Sequence, residues 1–174
     1  MKSLVLKSVF VCIFGIAFGI SEAVVVIYLQ QILGIIGSSG ISSLSSGDIF
    51  LNLRLLAFLK PEASQSIIPF PPLLSLEIVR EFSTLFMLLG LAVAVGSSAL
   101  ERLSYFLIAF GIWDIFYYVA FRIFFQWPRT FLDQDLFFLI PVPWVGPVIT
   151  PIVISLIFII LGFILIFRRP RSSL

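Results

Sequence analysis

The sequence contains no histidine, and Cys12 is its only cysteine. A single cysteine excludes an intramolecular disulfide and CxxC redox chemistry. Without histidine there is no His-ligated zinc, no bis-His haem and no Ser-His catalytic triad. We therefore expect no cofactor, and we interpret Cys12 as a small packing residue within an apolar helix.

Charged residues are also scarce: they make up 11% of the 174 residues, against 60% hydrophobic residues and a mean hydropathy of +1.19. A soluble domain is nearer about 25% charged and about 45–50% apolar, so this composition is typical of a chain that lies in a lipid bilayer. The net charge of +2 is scattered, and no basic run could neutralise several phosphates. Nucleic acid is therefore not an expected partner.

Four apolar runs are long enough to cross a bilayer, which takes about 20 helical residues at about 1.5 Å each. They predict transmembrane helices over residues 9–33, 73–95, 103–125 and 149–167. The first run is too long for the apolar part of a signal peptide, which has about 7–15 residues. The sequence thus predicts an all-α integral membrane bundle of four helices, formed by a single polytopic domain over residues 1–174.

Two connecting segments carry turn-forming residues. The loop at 37–72 opens with a Gly/Ser-rich stretch at 37–47 and continues with an apolar run at 49–59, too short to span. We interpret that run as a helix lying at the membrane interface. Four prolines in residues 136–151 exclude a continuous helix, because each removes an amide donor. Apolar backbone of this kind needs protein cover, so we expect a proline-rich cap or a re-entrant segment.

Ionisable side chains interrupt the apolar helices. Asp114 falls near the middle of the third span, where an ionised carboxylate costs about 2.5–3.5 kcal/mol. At about 100° per residue, it shares one helix face with Tyr117, Tyr118 and Arg122. This face must look toward protein or water, so we expect polar residues of separate helices to meet there. The candidates for a ligand or proton site are Glu22, Glu77, Arg80, Glu81, Asp114, Tyr117, Tyr118, Arg122, Asp135 and Trp144.

The other spans supply further charges. Glu77, Arg80 and Glu81 have i, i+3, i+4 spacing and form one polar stripe on the second helix. Counted over all spans, four acids and two bases cannot pair one to one, so at least one carboxylate is expected to keep its proton. The deepest two, Asp114 and Glu22, are the candidates. Carboxylates without histidine bind metals unselectively, so no metal site is predicted. Buried Arg–carboxylate pairs can also serve only to fix helix register, and that structural hypothesis stays open.

The distribution of Lys and Arg predicts the orientation. The side that holds both termini carries Lys2, Lys7, Arg102, Arg168, Arg169 and Arg171. With Arg80 and Arg122 set aside as intramembrane residues, the opposite side carries only Arg54, Lys60 and Arg129. The positive-inside rule then places both termini in the cytoplasm and the polar cluster in the outer half of the bundle.

Three stretches resemble a family of small bacterial polytopic membrane proteins of uncharacterised function. They are FGIWDIFYY at 110–118, DLFFLIPVPWVGPV at 135–148 and the Glu77-x-x-Arg80-Glu81 pattern. The resemblance implies only that these stretches belong together. It implies no activity, because none is attached to that family. We expect the chain to lie in the bacterial inner (cytoplasmic) membrane.

The polar cluster supports three hypotheses about function. It could line an outward-facing polar cavity for a small ligand or a proton-linked cation. Because four spans without an internal repeat are few for a carrier, a homo-oligomer would then be needed. It could instead belong to an intramembrane lipid-modifying enzyme, with Arg80 and Arg122 holding phosphate and Asp114 or Glu81 as general acid/base, although no catalytic motif is visible. The third alternative is an accessory or scaffold subunit of a larger membrane complex.

Overall fold

The computed structural model describes residues 2–33 and 45–168. Its elements are α1 (Lys2–Leu33), a 3-10 turn (Ser46–Asp48), β1 (Ile49–Asn52), β2 (Ala57–Leu59), α2 (Ala63–Ile67), α3 (Pro71–Val95), α4 (Ala99–Phe125), β3 (Gln134–Phe138), β4 (Trp144–Pro147) and α5 (Ile149–Phe167). Helices α1, α3, α4 and α5 are long and apolar enough to cross a membrane. The predicted fold class, an all-α bundle of four membrane-spanning helices, is confirmed. Most of the Gly/Ser-rich stretch, residues 37–44, and the C-terminal arginines beyond 168 lie outside the described residues.

The helix ends follow from local chemistry. Proline occupies the first position of α3, where its missing N–H removes no helical hydrogen bond. Ser98 caps α4, since its hydroxyl accepts a hydrogen bond from the N–H of Glu101 at 3.3 Å. At the other end of α4, Gln126 adopts the left-handed conformation with φ of 56°, which stops the helix. These ends place 27 residues of α4 in one continuous helix.

Helix α4 is the centre of the bundle. It packs against α1, α3 and α5, whereas those three have few contacts with one another. Glycines allow the close approach: a Cβ on Gly19 would lie 2.4 Å from the backbone oxygen of Trp113, and one on Gly111 would lie 2.6 Å from that of Ser155. The G-x-x-x-G pair formed by Gly15 and Gly19 therefore packs within this chain, against α4.

A four-stranded antiparallel sheet of order β1-β2-β4-β3 covers one end of the bundle. Two hairpins from different connections build it, and they join where β2 pairs with β4. Gly146 lies at this junction because a Cβ there would come 2.5 Å from the backbone oxygen of Leu55. An apolar cluster lies between the sheet and the start of α3, and it contains Leu59, Ala63, Ile67, Ile68, Leu139 and Val145.

One predicted element is wrong. Residues 49–59 form the hairpin β1–β2 and not an interfacial helix. Strand β1 pairs with β2, and β2 pairs in turn with β4, with Phe58 opposite Trp144. Arg54 lies in the turn between β1 and β2 with a positive φ of 67°. A pairing across about 85 residues of chain carries no local sequence signal, so the apolar run by itself does not distinguish a strand from a helix.

The proline-rich segment has the non-helical structure that the sequence predicts. It forms the hairpin β3–β4, and Pro141 and Pro143 lie in the turn between the strands. Pro147 ends β4, while Pro151 lies in the first turn of α5, where a missing N–H is tolerated. This hairpin closes the top of the polar site.

Candidate functional site

A polar cavity of about 110 Å³ lies between α1, α3, α4 and the hairpin β3–β4. A cavity of this volume has room for several water molecules or one small ligand. Eight of the ten residues predicted from the sequence line it: Glu22, Glu77, Arg80, Glu81, Asp114, Tyr117, Tyr118 and Asp135. Side chains from three helices and one strand thus line this cavity, and we call the lining residues the cavity wall.

Arg80 is the cation at the centre of this wall. Its guanidinium pairs with Glu22 across the α1–α3 contact and with Glu77 one turn earlier on α3. The Nε–H of Arg80 donates to Glu77 Oε2 at 3.0 Å, and the hydroxyl of Thr84 donates to Glu22 Oε1 at 3.1 Å. The side chain of Glu22 is only 6% exposed, so its negative charge depends on these two partners.

Glu81 ties α3 to the sheet. The backbone N–H of Leu139, in the turn of the proline-rich hairpin, lies 3.0 and 2.9 Å from the two carboxylate oxygens of Glu81. A hydrogen bond to a charged acceptor is stronger than one between neutral groups. This contact therefore fixes the hairpin over the cavity.

Asp135 brings a carboxylate from the sheet into the same wall. It lies on β3, is 8% exposed and accepts a hydrogen bond of 2.7 Å from the hydroxyl of Tyr118. Burial raises the pKa of Asp135 from 3.8 to about 7, although the hydrogen bonds from Tyr118 and from the backbone of Leu136 act in the opposite direction. Asp135 is therefore a group that exchanges its proton near neutral pH.

Asp114 joins α4 to α5. The hydroxyl of Ser155 donates to Asp114 Oδ2 at 2.7 Å, and both side chains are buried. The close approach at Gly111 brings the two helices near enough for this bond. The sequence analysis did not single out Ser155. It and Thr150 are the only polar side chains in the 19 residues of α5. A polar residue isolated in an apolar span indicates a polar partner, and this pattern could have identified Ser155.

Two buried polar atoms on residues of the wall have no partner within the described part of the chain. They are Oε1 of Gln30 and Nε1 of Trp113. An unpaired buried polar group costs about 1–3 kcal/mol. Gln30 and Trp113 therefore each carry one unpaired polar atom, an acceptor and a donor respectively, next to the cavity.

Arg122 does not join the cavity. It is exposed, and its Nη1 donates to the backbone oxygens of Gln126 at 3.0 Å and Pro128 at 3.3 Å. It lies one turn beyond Tyr118, where the free carbonyls at the C-terminus of α4 attract a cation. Among the described residues, the lining side chains are then five acids against one base: Glu22, Glu77, Glu81, Asp114 and Asp135 against Arg80.

Trp144 also lies away from the polar cavity. Its ring packs against Phe58 and Phe138, with centroids 5.2 and 6.1 Å away. It lines a second space of about 420 Å³, an apolar groove between α3, α5 and the hairpin β3–β4. Asp114, Phe137 and Phe138 border both this groove and the polar cavity.

Comparisons with protein-family models, with curated proteins and with solved structures find no match to this chain. The resemblance of residues 110–118 and 135–148 to a bacterial membrane family therefore stays a prediction. Fold and site alone define the class: a bundle of four apolar, membrane-length helices in which buried carboxylates pair with Arg80.

Proposed function

We propose that the polar cavity binds a small cationic ligand and that binding is linked to proton release. The observation that carries this proposal is the composition of the wall, with five carboxyl groups and one guanidinium around a single cavity. Arg80 contacts two glutamates, but its single positive charge can neutralise only one of them. The remaining acids need a proton or an external cation, because ionised carboxylates in a medium of low dielectric repel one another strongly.

Proton linkage follows from the same count. A carboxyl group that is protonated in the free protein must release its proton before it can pair with a cation. Asp135 is such a group, since burial raises its pKa to about 7. Cation binding should therefore strengthen as the pH rises through about 7.

The orientation is part of the proposal. The sheet lies at the end of the bundle opposite the N-terminus of α1, and the positive-inside rule places that N-terminus in the cytoplasm. The cavity beneath the sheet then belongs to the outer half of a bacterial inner membrane.

The geometry favours this function over lipid-phosphate chemistry. That alternative needs Arg80 and Arg122 together on one phosphate. Arg122 is engaged with backbone carbonyls outside the cavity, and both carboxylate partners of Arg80 already occupy its guanidinium. The wall that remains is acidic and repels a phosphate.

The test is calorimetric titration of methylammonium chloride into the protein in nanodiscs at pH 6, 7 and 8. Two buffers with different ionisation enthalpies give the number of protons released. We expect saturable binding that is about tenfold tighter at pH 8 than at pH 6, with release of about half a proton at pH 7. Asp114→Asn should weaken binding, while Glu62→Gln, which removes an exposed carboxylate just before α2, should not. Absence of binding at all three pH values would refute the proposal.

A further inference from the structure

The apolar groove has the position and lining of a binding site for a hydrocarbon chain. It lies between α3 and α5, which both pack on α4, and among the described helices no other one fills the space between them. Its walls include Phe82 and Ile154, which are 48% and 39% exposed and face outward from membrane-length helices. A volume of about 420 Å³ falls within the range of about 300–1,000 Å³ that is usual for small-molecule sites.

The groove and the acidic cavity share a wall. Three residues, Asp114, Phe137 and Phe138, form the border of both spaces. Among the described residues that line the groove, Asp114 is the one with an ionisable side chain, and the hydroxyl of Ser155 donates a hydrogen bond of 2.7 Å to its carboxylate. A ligand in the groove would therefore have its polar end beside Asp114, on the wall shared with the acidic cavity, and its apolar end among aromatic side chains.

We propose that the site accepts a membrane amphiphile with an ammonium head group, whose head pairs with Asp114 at the wall shared with the acidic cavity and whose hydrocarbon chain lies in the groove. This inference rests on the proposed function and specifies the substrate class of the same site. The excess of carboxyl groups selects a cation and disfavours a phosphate head group. The hydrocarbon chain reaches the groove sideways from the bilayer, so the amphiphile does not have to leave the membrane in order to bind.

The test uses a dodecylamine probe with a photoreactive diazirine at the end of the chain, added to the protein in phosphatidylcholine nanodiscs. Mass spectrometry locates the labelled residues. We expect saturable labelling of α3 and α5 at the groove, about tenfold stronger than with the matched dodecanol probe, because only the amine forms a charged pair with Asp114. Asp114→Asn should remove the difference between the two probes, while Asn can still accept the hydrogen bond from Ser155.

A groove-filling variant tests the chain site without touching the polar wall. Ile154→Trp should abolish groove labelling, whereas Ile157→Trp, on the same helix but outside the groove lining, should leave it unchanged. Ile154→Trp should also leave methylammonium binding intact. Labelling that is uniform over the lipid-facing helices, or equal for amine and alcohol, would overturn this inference while methylammonium binding still supports the proposed function. If the unmodified protein does not bind methylammonium at all, both this inference and the proposed function are overturned.

Discussion

Replacing Arg80 with glutamine removes the one guanidinium of the cavity wall and leaves two buried carboxylates without their partner. Glu22 is the more dependent of the two, because its side chain is 6% exposed and it lies on another helix. Removal of one member of a buried ion pair costs about 3–5 kcal/mol. The side chain of Arg80 is 22% exposed, so we expect the lower end, about 3 kcal/mol of lost unfolding free energy.

A double-mutant cycle separates this charge effect from lost packing. Glu22→Gln in the Arg80→Gln background removes the stranded charge, and the glutamine oxygen can still accept the hydrogen bond from Thr84. It should restore about 2 kcal/mol, whereas Glu22→Gln alone should destabilise, giving a coupling energy within the usual range of about 0.5–3 kcal/mol.

The assay is unfolding in mixed micelles with an increasing fraction of denaturing detergent, followed by circular dichroism. Arg129→Gln serves as the control, because this arginine is exposed in the loop before β3 and should change stability by less than about 0.5 kcal/mol. An Arg80→Gln variant as stable as the control, or no recovery in the double mutant, would show that the pairs do not carry the cost assigned to them.

Three further predictions concern the same walls. Because burial raises the folded-state pKa of Asp135 to about 7, its protonated form adds stability that is fully present below about pH 4 and lost as the pH rises to about 7. Asp135→Asn should remove that slope in unfolding experiments from pH 4 to 8 and gain up to about 4 kcal/mol relative to the parent protein at pH 8; an unchanged slope would contradict the assignment. Tyr118→Phe removes the hydrogen bond to this carboxyl group, so infrared titration should find the pKa of Asp135 higher still, with about 1–3 kcal/mol of stability lost. Gly19→Ala should cost about 1–3 kcal/mol in thermal unfolding because its Cβ meets the backbone of Trp113, whereas Gly90→Ala, with open space around it, should be neutral or stabilising; equal effects would argue against the α1–α4 approach.

The bundle gives each of its polar groups a second role in assembly. Glu22 of α1 accepts a hydrogen bond from α3, Glu81 of α3 accepts one from the hairpin β3–β4, and Asp114 of α4 accepts one from α5. The acidic residues of the cavity wall therefore also join the helices and the sheet. The proposed ligand would therefore contact side chains that also hold the helices together. A ligand that pairs with the acids should also raise the unfolding temperature of the protein.

The sequence by itself determined the spans and most of the cavity wall. Hydropathy over about 20 residues is a local property, and so is the helical period that places Glu77, Arg80 and Glu81 on one face. The cost of a lone charge in lipid then requires such faces to meet, which is why Glu22 and Asp114 could be assigned to the same site. The prolines at 141 and 143 likewise excluded a helix for a purely local reason.

Only the tertiary structure decided which of the remaining candidate residues line the cavity. Arg122 and Asp135 were both candidates, but the end of α4 holds the first on backbone carbonyls while the pairing of β3 with β4 delivers the second to Tyr118. The sheet itself depends on β2 meeting β4 from a distant part of the chain, and no local pattern encodes that partner. The apolar groove has the same origin, because it exists where α3 and α5 diverge on α4, and relative helix placement follows from packing rather than from the period of any one helix.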